Sequence, residues 1–115
     1  MDRTKKRKDT NDLKAKALRL ADLAQVQRGA VVSREILRKR AGTVTVFAFD
    51  EGEELSEHTA PFDALAFGLE GEAEITISGK VNRLSAGEMI IMPAREPHAL
   101  RAVGKFKMAL ILIRS

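Results

Sequence analysis

Gly87-Glu-Met-Ile-Ile-Met-Pro93-Ala-Arg-Glu-Pro97-His98 is the stretch on which the reading of this chain turns. Met89–Met92 is an apolar run of four, bounded by Gly87 and Pro93: too short for a helix, and long enough for a strand between turns. Pro93 and Pro97 have no N–H to give to a ladder, so they read as turn and edge geometry. His98 then opens another apolar run. A similar design stands 40 positions earlier, where Gly52-Glu-Glu-Leu-Ser-Glu-His58-Thr-Ala-Pro61 leads on to Leu69-Glu70-Gly71. His58 and His98 are the only histidines of the chain.

Outward from these two segments the pattern is that of short strands. Thr43-Val-Thr-Val-Phe-Ala-Phe49 is the clearest, rich in β-branched and aromatic residues. Val31–Leu37 and residues 64–69, 72–78, 81–84, 89–92, 98–103 and 106–113 repeat the signal, punctuated by Gly42, Gly71, Gly79, Gly87 and Gly104. Many short strands with Gly-containing turns and no long helix predict an all-β antiparallel sandwich or barrel. Before them, Leu13, Ala17, Leu18, Leu20 and Leu23 are spaced for a short helix, with Asn11 or Asp12 as its cap. Residues 1–12 have no apolar residue after Met1 and are expected to be a disordered basic tail, leaving one domain over 13–115 with its core at about 31–113.

The composition bounds the function. At 115 residues the chain is one domain, able to bury about two-thirds of its unfolded surface. It has no cysteine, which excludes disulfides, thiolate metal sites and cysteine nucleophiles. No apolar run approaches the roughly 20 residues of a membrane helix, and no signal-peptide pattern is present, so a cytoplasmic protein with no membrane association is expected. The net charge of +4 is concentrated at one end: residues 1–20 carry eight basic and three acidic side chains, the rest 12 and 13. The basic character belongs to the tail, where Lys5-Lys6-Arg7-Lys8 would attract phosphate backbones without specificity. Nucleic acid is therefore not the expected partner.

The two histidine segments together resemble the paired motifs of the cupin family. Gly52, His58 and Gly71 match the first motif, and Gly87, Pro93 and His98 the second. The resemblance implies a small jelly-roll barrel of the RmlC-like type, spanning about Val31 to Ile113, in which both motifs bring their histidines together. It also implies a divalent transition metal (Fe, Mn, Ni or Zn) and dimers. The motifs are incomplete. Ala60 stands at the second histidine position, Ala64 at the glutamate position, Arg95 for a glycine and Ala102 for an asparagine. Of the four ligands that the resemblance calls for, His58 and His98 remain. Asp63 is a candidate replacement carboxylate, although strand alternation points it away from the face of position 64 unless a bend near Pro61 re-aims it. Two histidines and a carboxylate would suit a metal-dependent oxygenase or isomerase. Each histidine has a plainer alternative as a neutral core residue bonded to backbone.

Alternation also locates a pocket. With His58 inward, Ala60, Ala64, Ala66 and Gly68 face the same interior, and Leu65, Phe67 and Leu69 the outside. So many small groups leave space, to be filled by Met89, Ile91, Met92 and Phe106 or by a ligand. The expected ligand pocket therefore comprises Ala60, Ala64, Ala66, Met92 and Phe106 beside the two histidines. Glu51, Glu53, Glu54 and Glu57 are expected in a solvated loop. The expected function is small-molecule binding, with the metal-dependent enzyme as the alternative. The outward apolar row and the run Met108–Ile113 exceed what a small core uses, and point to a homodimer.

Overall fold

The computed structural model describes residues 13–114. Among them nine strands are formed: β1 (Val31–Lys39), β2 (Gly42–Phe49), β3 (Glu54–His58), β4 (Ala64–Glu70), β5 (Glu72–Ile77), β6 (Lys80–Ser85), β7 (Met89–Met92), β8 (His98–Ala102) and β9 (Phe106–Ile113). They make two antiparallel sheets, one in the order β1-β2-β9-β4-β7 and the other β3-β8-β5-β6. The result is the expected all-β jelly roll. No described helix is long and apolar enough to cross a membrane.

All eight expected strands are present, their ends displaced by at most two residues. The period of two does the sorting. Ala64 and Ala66 are buried, Gly68 with them, while Phe67 on the opposite face is exposed. Between the sheets, Phe49, Phe106 and Met108 of the five-stranded sheet meet Ile75, Leu84 and Leu100 of the other. The rings of Phe49 and Phe106 lie tilted with centroids 5.8 Å apart, a favourable aromatic geometry. The alanines at 66, 73 and 102 are fully buried beside these large groups, so small and large side chains together fill the interior at ordinary packing density.

Three expectations need correction. The helix expected over Leu13–Leu23 is not formed as one element: its C-terminal end is a 3-10 turn, Leu20–Leu23, whose N-cap Arg19 supplies no side-chain hydrogen bond. So short a helix has little stability of its own. The segment instead lies on the outer face of the five-stranded sheet, where Leu20, Ala24 and Val26 pack against the fully buried Val46 and Ala48. Lys107 fastens it: its buried Nζ donates to the Ala21 carbonyl at 2.7 Å, with Glu70 3.8 Å away. Second, Glu54 and Glu57 belong to a strand, β3, which the sequence hides because Leu55 is its one partly buried residue. A charged edge strand of this kind resists unwanted pairing and carries no apolar alternation to read. Third, Met89 and Ile91 point outward and stay exposed, leaving Met92 alone of that run in the core. The expected basic tail, and the caps Asn11 and Asp12, lie outside the described residues.

Gly71, which closes the first histidine segment, turns the chain from β4 into β5 at φ 77°. A Cβ there would overlap the Lys105 backbone carbonyl, whereas one on Gly52, also at positive φ, would meet nothing within 4 Å. Both substitutions carry the left-handed backbone cost, but only the first adds a clash with backbone. We expect Gly71→Ala to cost several kcal/mol, or to prevent folding, and Gly52→Ala about 1–2 kcal/mol. Urea unfolding of the two variants against the unsubstituted protein checks the ranking.

Candidate functional site

His58 ends β3 and His98 begins β8, and the antiparallel register pairs them directly. Strict alternation from the inward Leu55 would turn Glu57 inward and His58 out. A bulge prevents this. The ladder pairs Leu55 with Leu100 and His58 with His98, so β3 spends one residue more than β8 over that interval. The extra residue returns His58 to the inner face, the re-aiming that bulges provide. The imidazoles meet edge to face, centroids 4.4 Å apart and planes at 70°. His98 is buried and His58 exposed, so the pair runs from the interior to the surface.

Each ring is held by backbone two residues before it. His58 Nδ1 lies 2.8 Å from the Ser56 carbonyl oxygen, and His98 Nδ1 lies 3.1 Å from that of Glu96. A carbonyl oxygen only accepts, so in the neutral form of each ring Nδ1 carries the proton and donates it. Nε2 is then left as a lone-pair nitrogen on each ring. Among the described residues neither Nε2 has a protein hydrogen-bond partner. This is the orientation by which ligand-holding histidines are usually fixed.

Beside the pair is a cavity of about 40 Å³, walled by Leu55, Met92, Leu100, Met108 and Leu110 together with both histidines. That is room for roughly two to four waters. Of the five residues expected to line a pocket, Met92 does so. Ala64, Ala66 and Phe106 are packed into the core, and Ala60 is occupied through its backbone, where its carbonyl accepts from Arg95 N–H at 2.7 Å. The space left by the alanines is closed by neighbouring side chains and not open. Sequence reasoning missed Leu55, Met108 and Leu110. Leu55 sits in the unread strand, and the β9 residues look like any core strand until the sheets are closed.

Asp63 has a different occupation. Its Oδ1 accepts the Ala94 N–H at 2.8 Å. With the Arg95–Ala60 bond, this joins the loop before β4 to the loop before β8. Among the described residues no three His, Cys, Asp or Glu come together to hold a metal ion. Arg95, at the position where the motif carries glycine, has φ 68°, which explains why glycine suits that place. The third missing group, at Ala102, is a fully buried core position whose backbone bonds Gly52 and Glu53.

The family model for the cupin domain matches residues 45–114. A conserved protein of unknown function from Streptococcus pyogenes is 38% identical, with a TM-score of 0.83 over 88% of this chain and 89% of that one. A cupin superfamily protein from Desulfitobacterium hafniense is 30% identical, with a TM-score of 0.83 over 88% and 93%. A cupin 2 conserved barrel domain protein from Leptotrichia buccalis is 37% identical, with a TM-score of 0.79 over 82% of this chain but 46% of that one. A comparison with curated proteins finds no match.

Two substitutions in the joined loops should act with opposite signs. Asp63→Ala removes an acceptor for the Ala94 N–H and is expected to cost about 1 kcal/mol. Arg95→Gly relieves a left-handed residue and should stabilise by up to about 1 kcal/mol. Thermal and urea unfolding of the single variants measure both. A stabilising Asp63→Ala or a destabilising Arg95→Gly would contradict these roles.

Proposed function

Since the chain belongs to the cupin domain family, we propose that it is a small-molecule-binding module whose site is the His58–His98 pair and the apolar cavity behind it. The observation that carries this reading is the pair of Nδ1–carbonyl contacts on rings whose centroids are 4.4 Å apart, which leave Nε2 as the acceptor nitrogen of each ring in its neutral form. Two lone pairs over an apolar recess suit a neutral ligand with an O–H or N–H donor and a short apolar group, such as an alcohol, phenol or amide. A cavity of about 40 Å³ admits only a small part of such a ligand. Met92 and Met108 in its wall are the side chains best able to move aside for more, and the exposed edge of His58 leaves the remainder at the surface.

The second reading is a metal-dependent enzyme. Its support is the same pair of oriented imidazoles, which are suitable transition-metal donors. The residues present do not fit a resident three- or four-ligand centre. Alanine stands at two of the ligand positions, Asp63 is bonded to Ala94, and no third donor joins the pair among the described residues. Loss of a supporting group alone commonly weakens metal binding by about 10–100-fold, so a two-histidine set would hold a divalent ion loosely.

The test follows the imidazole resonances of histidine-labelled protein by NMR. Ethanol, phenol and acetamide are titrated in turn, with Zn(II) and Mn(II) as a separate arm. Binding of at least one organic probe is expected to move both histidines together, and His98→Ala should abolish the response of His58. Silence toward every organic probe, together with a metal-induced rise in melting temperature of several degrees, would transfer the site to the metal reading.

A further inference from the structure

The outer faces of the two sheets differ in chemistry. On the four-stranded sheet the ladder aligns Arg83, Glu74, Arg101 and Glu54 across β6, β5, β8 and β3, an alternation of charge that suits water. On the five-stranded sheet the corresponding row is Leu37, Val44, Ile111, Leu65 and Ile91, one residue from each strand and none charged. With strands about 4.8 Å apart, the row is roughly 19 Å long. The docked segment Leu20–Val26 covers Val46 and Ala48 instead. Leu37 and Ile91, at the two ends of the row, are 41% and 51% exposed.

The β1 end of the row carries both space and charge. A shallow recess of about 210 Å³ opens there between Leu37, Val44, Ile111 and Ile113, with Lys39 on its rim. The turn from β1 into β2 adds the exposed Arg40. Arg114 is fastened to the same turn: its N–H donates to the Ala41 carbonyl at 2.6 Å, and its Nη1 to that of Lys39 at 3.4 Å. Among the described residues none of these three cations pairs with a carboxylate. The acids on neighbouring stretches are engaged elsewhere. Glu35 lies 3.3 Å from Arg38, and Asp63 accepts the Ala94 N–H.

We infer that this strip binds a straight-chain carboxylic acid, its carboxylate at the Lys39–Arg40–Arg114 corner and its alkyl tail along the row. Complementarity selects the occupant. Arg40 and Arg114 offer forked donors that match a carboxylate, and an exposed apolar surface with a polar rim marks an interaction site. A nucleic acid would meet the cations and leave the row bare. A neutral lipid would meet the row and leave the cations unused. A second copy of the face brings no carboxylate to the corner, because its own row has none. An anionic single-chain amphiphile satisfies both features. The recess takes the first methylenes, and the row, one side chain wide, takes the length of a long-chain tail. The inference is independent of what the histidine site binds, because β3 and β8 belong to the other sheet.

Calorimetric titration of the full chain with octanoate, decanoate and dodecanoate, each kept below its micelle concentration, tests it. A methylene lying on an open face gains about half of full burial, so each two-carbon step should tighten binding about fourfold. Dodecanol, which lacks the charge, should bind about tenfold more weakly than dodecanoate. The double variant Lys39→Glu/Arg40→Glu, at exposed positions, should lose the preference for the acid with an unchanged circular dichroism spectrum. Ile91→Glu, at the far end of the row, should flatten the dependence on chain length, while His98→Ala should bind dodecanoate as the unsubstituted protein does. Equal affinity for dodecanol, or indifference to the double variant, overturns the inference. Loss of binding in His98→Ala would move the ligand to the histidine cavity and overturn it too. So would the absence of dodecanoate binding, whether sedimentation then finds a second copy on this face or an anionic phospholipid vesicle.

Discussion

A strand's pleat sends successive side chains to opposite faces, and in this chain one interruption of that alternation governs the candidate site. Over most of the ladder the rule is kept, and Phe49, Ala66, Met108 and Leu100 all arrive between the sheets because of it. Between Leu55 and His58 it is broken by one residue. Without the bulge, His58 would face solvent from the outer side of β3, and His98 would be a buried core histidine with a backbone partner and no neighbour of its kind. With it, two imidazoles meet at the edge of the interior. Backbone carbonyls at Ser56 and Glu96 then settle which nitrogen each offers. Fold and site therefore depend on the same register.

The family motif reads differently once the backbone is known. Gly71 is required because the chain passes close to Lys105 in a left-handed turn. The Arg95 position is left-handed too, and the chain accepts an arginine there at some strain. The vacated ligand positions are another matter. Ala64 is enclosed by core side chains, and Ala60 contributes its carbonyl to the loop junction. Core side chains fill the space beside Ala64, and a small apolar recess remains beside the two histidines. The proposed recognition of a hydrogen-bond donor rests on that arrangement.

Much of this was legible in the sequence, and the exceptions have physical causes. The strands with an apolar alternation, from Val31 to Ile113, were readable because burial imposes it. The pairing of His58 and His98 followed from the resemblance of their motifs. β3 was not legible, since an edge strand of glutamates has no buried face to signal it, and neither was the bulge, which depends on the partner strand. The N-terminal segment misled for a related reason. Leu13, Ala17, Leu20 and Leu23 have helical spacing, but Leu20, with Ala24 and Val26 beyond it, is buried by lying across Val46 and Ala48, and tertiary contact outweighs a weak helix preference. The cavity walls at Met108 and Leu110 were indistinguishable in sequence from the rest of the core.

The central claim is that His58 and His98 stand together with both Nε2 nitrogens unprotonated and available. Long-range proton–nitrogen NMR correlation on histidine-labelled protein, recorded near pH 8 where free imidazole is neutral, addresses it directly. Both rings are expected to show the Nδ1-protonated tautomer, and their ring protons to give a cross-relaxation peak to each other. Protonation at Nε2 in either ring, or the absence of any contact between the two, would contradict it.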